Sequence, residues 1–127
     1  MCIRDRGTVP GAGLAVAERI DLRIAPAAET LGALLDDGEA GTWDSAFIDA
    51  DKTGYDTYYE ACLELVKPGG LVMIDNVLWS GKPADPAVDD ADTRAIRALN
   101  AKLKDDDRVD LALVPIADGL TLARRRG

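Results

Sequence analysis

Apolar and polar positions follow two different periods along the chain, and the switches between them divide it into elements. Ile20, Leu22 and Ile24 alternate with Asp21 and Arg23, the period-two pattern of a strand with one buried face, here expected at a sheet edge. Pro26 suits the first turn of a helix in which Ala27, Leu31, Leu34 and Leu35 share a face, and Asp36-Asp37-Gly38 ends it. Ser45-Ala46-Phe47-Ile48 is a short apolar run without polar alternation, as in a strand covered on both faces, and it stops at Asp49. Tyr55, Tyr58, Tyr59, Cys62, Leu63 and Val66 recur at helical spacing, which assigns Cys62 to the core, until Lys67-Pro68-Gly69-Gly70 breaks the helix. Leu71-Val72-Met73-Ile74 repeats the doubly buried strand pattern and ends in Asp75-Asn76.

A loop rich in Gly, Pro and Asp runs from Trp79 to Asp92, followed by a helix marked by Ile96, Leu99 and Leu103, whose other face carries Arg94, Arg97 and Lys102 as solvated charges. Leu111 to Ile116 and Leu120 to Ala123 are β-prone and flank Ala117-Asp118-Gly119, a tight hairpin signal. The order strand, helix, strand, helix, strand, helix, hairpin predicts an α/β fold with a mostly parallel sheet and an antiparallel edge element. No internal repeat is present. Residues 1–10 read as a non-native or disordered lead and residues 11–127 as part of one domain; glycine-rich Gly7 to Gly13 has no preceding strand and is not read as a cofactor loop.

Composition narrows the chemistry. At 127 residues the chain fits one core, and no apolar run approaches the roughly 20 residues that span a bilayer. With 23 acidic residues against 15 basic ones, the net charge of -8 opposes binding to a phosphate backbone, so no nucleic-acid partner is expected. Histidine is absent, which removes Ser-His-Asp and Cys-His nucleophilic sites and imidazole metal sites. Cys2 and Cys62 offer neither a metal set nor a disulfide framework, and a reducing cytoplasm is the expected location.

Ligands of open α/β sheets bind beyond the carboxyl ends of parallel strands. Both buried runs end there in oxygen-bearing residues, so Asp49, Asp51, Asp75 and Asn76 are expected to share a rim. Neighbouring strands lie ~4.8 Å apart, and a magnesium ion with ligands at ~2.0–2.1 Å bridges oxygens on both after small side-chain adjustments. Oxygen donors favour Mg²⁺, Mn²⁺ or Ca²⁺ over zinc. Asp and Asn also end strands simply because they start turns and cap helices; spacing alone leaves both readings open.

Longer strings add specificity. Phe47-Ile48-Asp49-Ala50-Asp51-Lys52, Tyr55, Leu65-Val66-Lys67-Pro68-Gly69-Gly70, Ile74-Asp75-Asn76-Val77-Leu78-Trp79-Ser80-Gly81 and the closing Pro115 to Ala123 occur in an order that closely resembles the cation-dependent, S-adenosylmethionine-dependent O-methyltransferases of the caffeoyl-CoA type. The resemblance runs from about Gly11 to Arg126 and implies a Rossmann-like class I methyltransferase fold with a carboxyl-terminal antiparallel hairpin. It implies Asp49, Asp75 and Asn76 as ligands of a divalent cation, and Lys52, with Asp49, as the catalytic pair, Lys52 taking the proton from the acceptor hydroxyl. A nearby cation and partial burial would hold that lysine toward its neutral, proton-accepting form. Asp51 and Ala27 match positions that contact S-adenosyl-L-methionine, and Trp79 and Ser80 match positions near a phenolic, catechol-like acceptor. Ala27 can equally be a plain helix residue, and a tryptophan after a strand can equally cover the core. A homodimer is a further expectation from the resemblance.

Members of that family carry an additional amino-terminal stretch with two sheet strands, a glycine-rich cofactor loop and an acidic ribose ligand. The chain is therefore expected to be the carboxyl-terminal part of a longer protein, lacking the first strands, with the Ile20 strand deprived of its neighbour and the Phe47 strand left with an open edge. Asp49-Ala50-Asp51-Lys52-Thr53 after an apolar strand also looks like the nucleophile motif of Mg²⁺-dependent haloacid-dehalogenase-type phosphatases, with Asp49 phosphorylated and Asp51 as acid or base. A non-enzymatic alternative is a cation-binding fragment without catalysis.

Overall fold

The computed structural model describes residues 2–5 and 19–127. Strand β1 (Cys2–Asp5) pairs antiparallel with β2 (Ile20–Arg23), Cys2 opposite Arg23 and Asp5 opposite Ile20. A strand thus lies within the lead read as non-native or disordered, and it gives the Ile20 strand a neighbour. Residues 6–18, including the Gly7 to Gly13 stretch, lie outside the described residues.

After β2 come α1 (Ala27–Asp36), β3 (Trp43–Ile48), α2 (Tyr55–Leu65), β4 (Val66–Asp75), α3 (Ala91–Lys104), β5 (Val109–Val114) and β6 (Leu120–Arg125). Strands β3 to β6 form a sheet in the order β3-β4-β6-β5. Only β3 and β4 are parallel, joined through α2; β6 runs antiparallel to both β4 and β5. Among the described residues the sheet is therefore mixed, where the pattern predicts a mostly parallel one, because the terminal hairpin inserts its second strand directly beside β4.

Two element boundaries also differ. Val66, assigned to the helical stripe, is the first residue of β4 and pairs with Trp43. The Lys67-Pro68-Gly69-Gly70 break falls inside the strand as an excursion, with Gly69 at φ 81° and the register resuming at Ser45 opposite Leu71. A side chain on Gly70 would stand 2.8 Å from the Lys67 carbonyl oxygen and 3.0 Å from that of Asp44, so only glycine lets the strands close there.

The core lies on one face of the sheet. Ile48, Val72, Ile74 and Ala123 meet Tyr55, Tyr59, Cys62 and Leu63 of α2 and Ile96, Leu99 and Leu103 of α3. Truncating a residue as enclosed as Ile74 would cost ~2–5 kcal/mol. The residues between them on the strands point the other way: Phe47 is 58% exposed, and Leu71, Met73 and Leu122 are half-buried. The predicted double coverage of both strands is found on one face only, because α2 and α3 feed their apolar stripes to the face of Ile48, Val72 and Ile74.

Helix α3 starts at Asp90, whose carboxylate accepts the Thr93 N–H at 2.9 Å and the Thr93 hydroxyl at 2.7 Å, and it ends with Lys102 and Lys104 at its negative pole. Its cations are not merely solvated. Arg97 donates to the carbonyls of Pro83, Asp85 and Val88 at 3.0, 2.9 and 2.8 Å, fastening the preceding loop, and Lys102 bridges to Asp56 and Glu60 of α2. No helix among the described residues is long and apolar enough to cross a membrane.

Candidate active site

The register Ile48 opposite Ile74 brings Asp49 and Asp75 to the same end of adjacent parallel strands. Asp49 continues into a short turn, Lys52–Gly54, that returns Lys52 beneath the strand ends and delivers Tyr55 to the start of α2. Lys52 is only 8% exposed, so its charge requires partners. Its Nζ donates to the Ala50 carbonyl at 3.0 Å, the Tyr55 hydroxyl at 2.6 Å and the Asn76 Oδ1 at 2.8 Å, using all three ammonium protons. The Asp49 carboxylate is 3.6 Å away and the Trp79 ring centroid 5.3 Å. Burial pushes the Tyr55 phenol above its ordinary value, while its hydrogen bond with Lys52 pulls the other way.

Beyond β4 the backbone is unusual. Asn76, Trp79 and Ser80 stand at φ 62°, 45° and 55°, and Gly81 at 80°. Left-handed conformations in residues with a Cβ cost of order 1–3 kcal/mol each and persist where surrounding contacts over-determine them. The contacts come from the hairpin turn: Leu78 N–H donates to the Asp118 carbonyl at 2.9 Å, and Ser80 N–H to the Asp118 carboxylate at 2.6 Å. Asp75 Oδ1 accepts from the Asn76 N–H at 2.7 Å. Trp79 is half-buried, with its indole Nε1 enclosed and without a hydrogen-bond acceptor among the described residues, and Ser80 is exposed at the same loop.

Of the residues singled out in the sequence, Asp49, Lys52, Asp75, Asn76 and Trp79 come together. Ala27 and Asp51 do not join that group. Ala27 opens α1 and lines a cleft of about 410 Å³ beside β3, together with Leu31, Phe47, Asp49, Ala50 and Tyr58. Asp49 is thus shared between the cleft and the lysine cluster. Asp51 faces Tyr58, whose hydroxyl donates to it at 2.6 Å and lowers its carboxyl below the usual range. Sequence reasoning missed Asp118, read only as a turn residue, and the contact of Tyr55 with Lys52. An Asp-Gly pair carries no signal of a long-range contact, whereas Tyr55, three residues after Lys52, sits where a helical turn would return it.

The donor set of two carboxylates and a carboxamide oxygen fits a hard divalent cation. Two of these, the Asn76 Oδ1 at 2.8 Å and the Asp49 carboxylate at 3.6 Å, face the Lys52 ammonium, and Asp75 stands at the end of the adjacent strand with its Oδ1 on the Asn76 N–H. Among the described residues no group of three or more Asp, Glu, Cys or His forms a metal set, and this one reaches three ligands only through Asn76.

The chain is similar to known proteins over most of its length. A family model described as O-methyltransferase matches residues 11–126. The chain is 55% identical over 108 residues to Probable caffeoyl-CoA O-methyltransferase 2 of Dictyostelium discoideum, covering 84% of this chain and 47% of that protein. It is 45% identical over 108 residues to Catechol O-methyltransferase domain-containing protein 1 of Mus musculus, covering 85% of this chain and 41% of that protein. Among solved structures, the O-methyltransferase TomG from Streptomyces achromogenes, in complex with SAM, aligns with a TM-score of 0.78 at 29% identity, over 88% of this chain and 52% of that one. The chain spans about half the length of the curated relatives it matches.

Proposed function

The chain belongs to the O-methyltransferase family, and from that premise we propose that the full-length protein transfers a methyl group from S-adenosyl-L-methionine to a hydroxyl of a catechol-like phenolic small molecule, with a divalent cation held by Asp49, Asp75 and Asn76. The observation that carries this reading is the placement of Asp49 and Asp75 at the ends of two adjacent parallel strands, with the Asp49 carboxylate and the Asn76 Oδ1 facing the buried Lys52.

When bound, the cation supplies Lewis acidity that makes an acceptor hydroxyl easier to deprotonate. Lys52 Nζ, after giving up one of its three protons, would be the group placed to accept that of the hydroxyl. In the structure Nζ is held by the Ala50 carbonyl, the Tyr55 hydroxyl and the Asn76 Oδ1, which fix its position at the strand ends. Tyr55 stays protonated under burial and fixes the Nζ position from below. Trp79, 5.3 Å from Nζ, offers an aromatic face to a planar acceptor and excludes water from one side. The cleft between α1 and β3, which holds Ala27 and shares Asp49, is the side from which the methyl donor approaches. The names of the relatives, a probable caffeoyl-CoA O-methyltransferase and a catechol O-methyltransferase domain-containing protein, support an acceptor with vicinal oxygens.

The test is methyl transfer by the full-length protein from radiolabelled S-adenosylmethionine to caffeoyl-CoA and to a simple catechol. Activity is expected to vanish in excess chelator and return with Mg²⁺. Turnover that persists in chelator removes the cation from the reading, and absence of transfer to any vicinal diphenol removes the acceptor class.

A further inference from the structure

The left-handed loop after β4 is clamped by a turn more than thirty residues away, and one side chain of that turn reaches the site. Asp118 Oδ1 accepts the Ser80 N–H at 2.6 Å, and its Oδ2 accepts from Asn76 Nδ2 at 3.5 Å. The next residue, Gly119, takes the Val77 N–H on its carbonyl at 3.4 Å. Asp118 is half-buried, and its turn is itself built to hold this position, with Ala117 at φ 49° and Gly119 at φ 86°.

A carboxamide has a donor end and an acceptor end, and its orientation is set by what faces each. On one side of Asn76 stands an ionised carboxylate, which only accepts; on the other stands the Lys52 ammonium, which only donates. A flipped Asn76 would oppose oxygen to oxygen at Asp118 and N–H to N–H at Lys52, losing both hydrogen bonds. We propose that Asp118 is a positioning residue for the site: by accepting from the amide nitrogen of Asn76 it commits the amide oxygen to the cation side. An asparagine offers one ligating oxygen, so the neighbour on its nitrogen decides whether that oxygen points inward. The proposal rests on the cation-binding reading above and deepens it.

Mn²⁺ binding to the full-length protein, followed by electron paramagnetic resonance of the free ion, tests it without turnover. Asp118→Asn keeps an acceptor for the Ser80 N–H but turns its own N–H₂ toward Asn76, which then flips. The expected loss of Mn²⁺ affinity is on the order of tenfold, as for other groups that orient a metal ligand, with a thermal midpoint close to the parent's. The exchanged pair, Asn76→Asp with Asp118→Asn, restores a donor facing an acceptor and needs no orientation at residue 76, so it is expected to bind Mn²⁺ within about threefold of the parent, a margin well inside the tenfold loss. Parent-like affinity in the single variant, or an exchanged pair no tighter than the single variant, overturns the proposal. If the parent itself binds no Mn²⁺, the cation reading fails and the proposal with it. If Asp118→Asn does not fold, the exchanged pair alone decides.

Discussion

Arg97 is the sharpest point at which to test how the segment before α3 is held. Its guanidinium satisfies three carbonyls, that of Pro83 in the short 3₁₀ segment Trp79–Ala84 and those of Asp85 and Val88 beyond it. Hydrogen bonds from a charged donor are worth about 1.5–3 kcal/mol each when shielded; discounting to about 1 kcal/mol for the partly exposed ones here gives about 3 kcal/mol for the set. Lysine at the same position keeps the charge but reaches one carbonyl, so Arg97→Lys should lower the free energy of loop opening by about 2 kcal/mol. At 1.4 kcal/mol per factor of ten, that is roughly 30-fold faster exchange of the amides that close the loop, Gly81, Asp85 and Val88, which bond to the carbonyls of Leu78, Lys82 and Asp85. Hydrogen–deuterium exchange of the full-length protein at neutral pH reads this directly. Rates within threefold of the parent at those amides would refute the clamp, and equal acceleration along α3 would show that Arg97 supports the helix and not the loop.

Three further outcomes follow from the same contacts. Gly119→Ala should be strongly destabilising, because its Cβ would stand 2.5 Å from Leu78 Cγ at a residue with φ 86°; left-handed backbone and overpacking together amount to ~2–5 kcal/mol, read as a lower urea midpoint. Lys52→Met, which keeps length without a basic nitrogen, should lower kcat by ~10²–10⁴ with a much smaller effect on acceptor KM, the signature of lost proton transfer, measured by steady-state kinetics. Acid should weaken the fold through Glu60 and Asp106: hydrogen bonds from Arg108 hold the Glu60 carboxyl at about 2 and keep Asp106 well below its ordinary value. Both are depressed in the fold, so the stability they contribute is present above the unfolded value near 4.5 and is lost as pH falls toward about 2. Urea midpoints compared at pH 7 and pH 3 should differ less in Arg108→Met than in the parent, and an identical difference would disprove the assignment.

What the sequence makes legible is what periodicity encodes. The stripe of Tyr55, Tyr59, Cys62 and Leu63 and the runs ending at Asp49 and Asp75 are each visible locally, because burial repeats at the spacing of the element. The strand ends could be set side by side from topology alone, and the structure brings Asp49, Lys52, Asp75 and Asn76 together. Arg97 and Asp118 were not legible, since an exposed-looking cation on a helix and an Asp-Gly turn carry the same local signal whether or not they reach another segment. Nor could the apolar run through Phe47 report that one of its faces stays open: hydrophobicity records what a residue can bury, not what arrives to cover it.

The placement of the chemistry within β3, α2 and β4 separates two properties that are often tied. Asp49, Lys52 and Asp75 are placed by one strand–helix–strand unit, and Asn76 by that unit together with Asp118 of the hairpin turn, all outside the segment from Lys82 to Asp89. That segment is fastened to α3 through three backbone carbonyls, which every residue type supplies, on Arg97, together with the Asp89 carboxylate on Arg94. Under the proposed methyl transfer, substitutions in that segment would change the side chains offered to an acceptor while Lys52 stays on its own three partners.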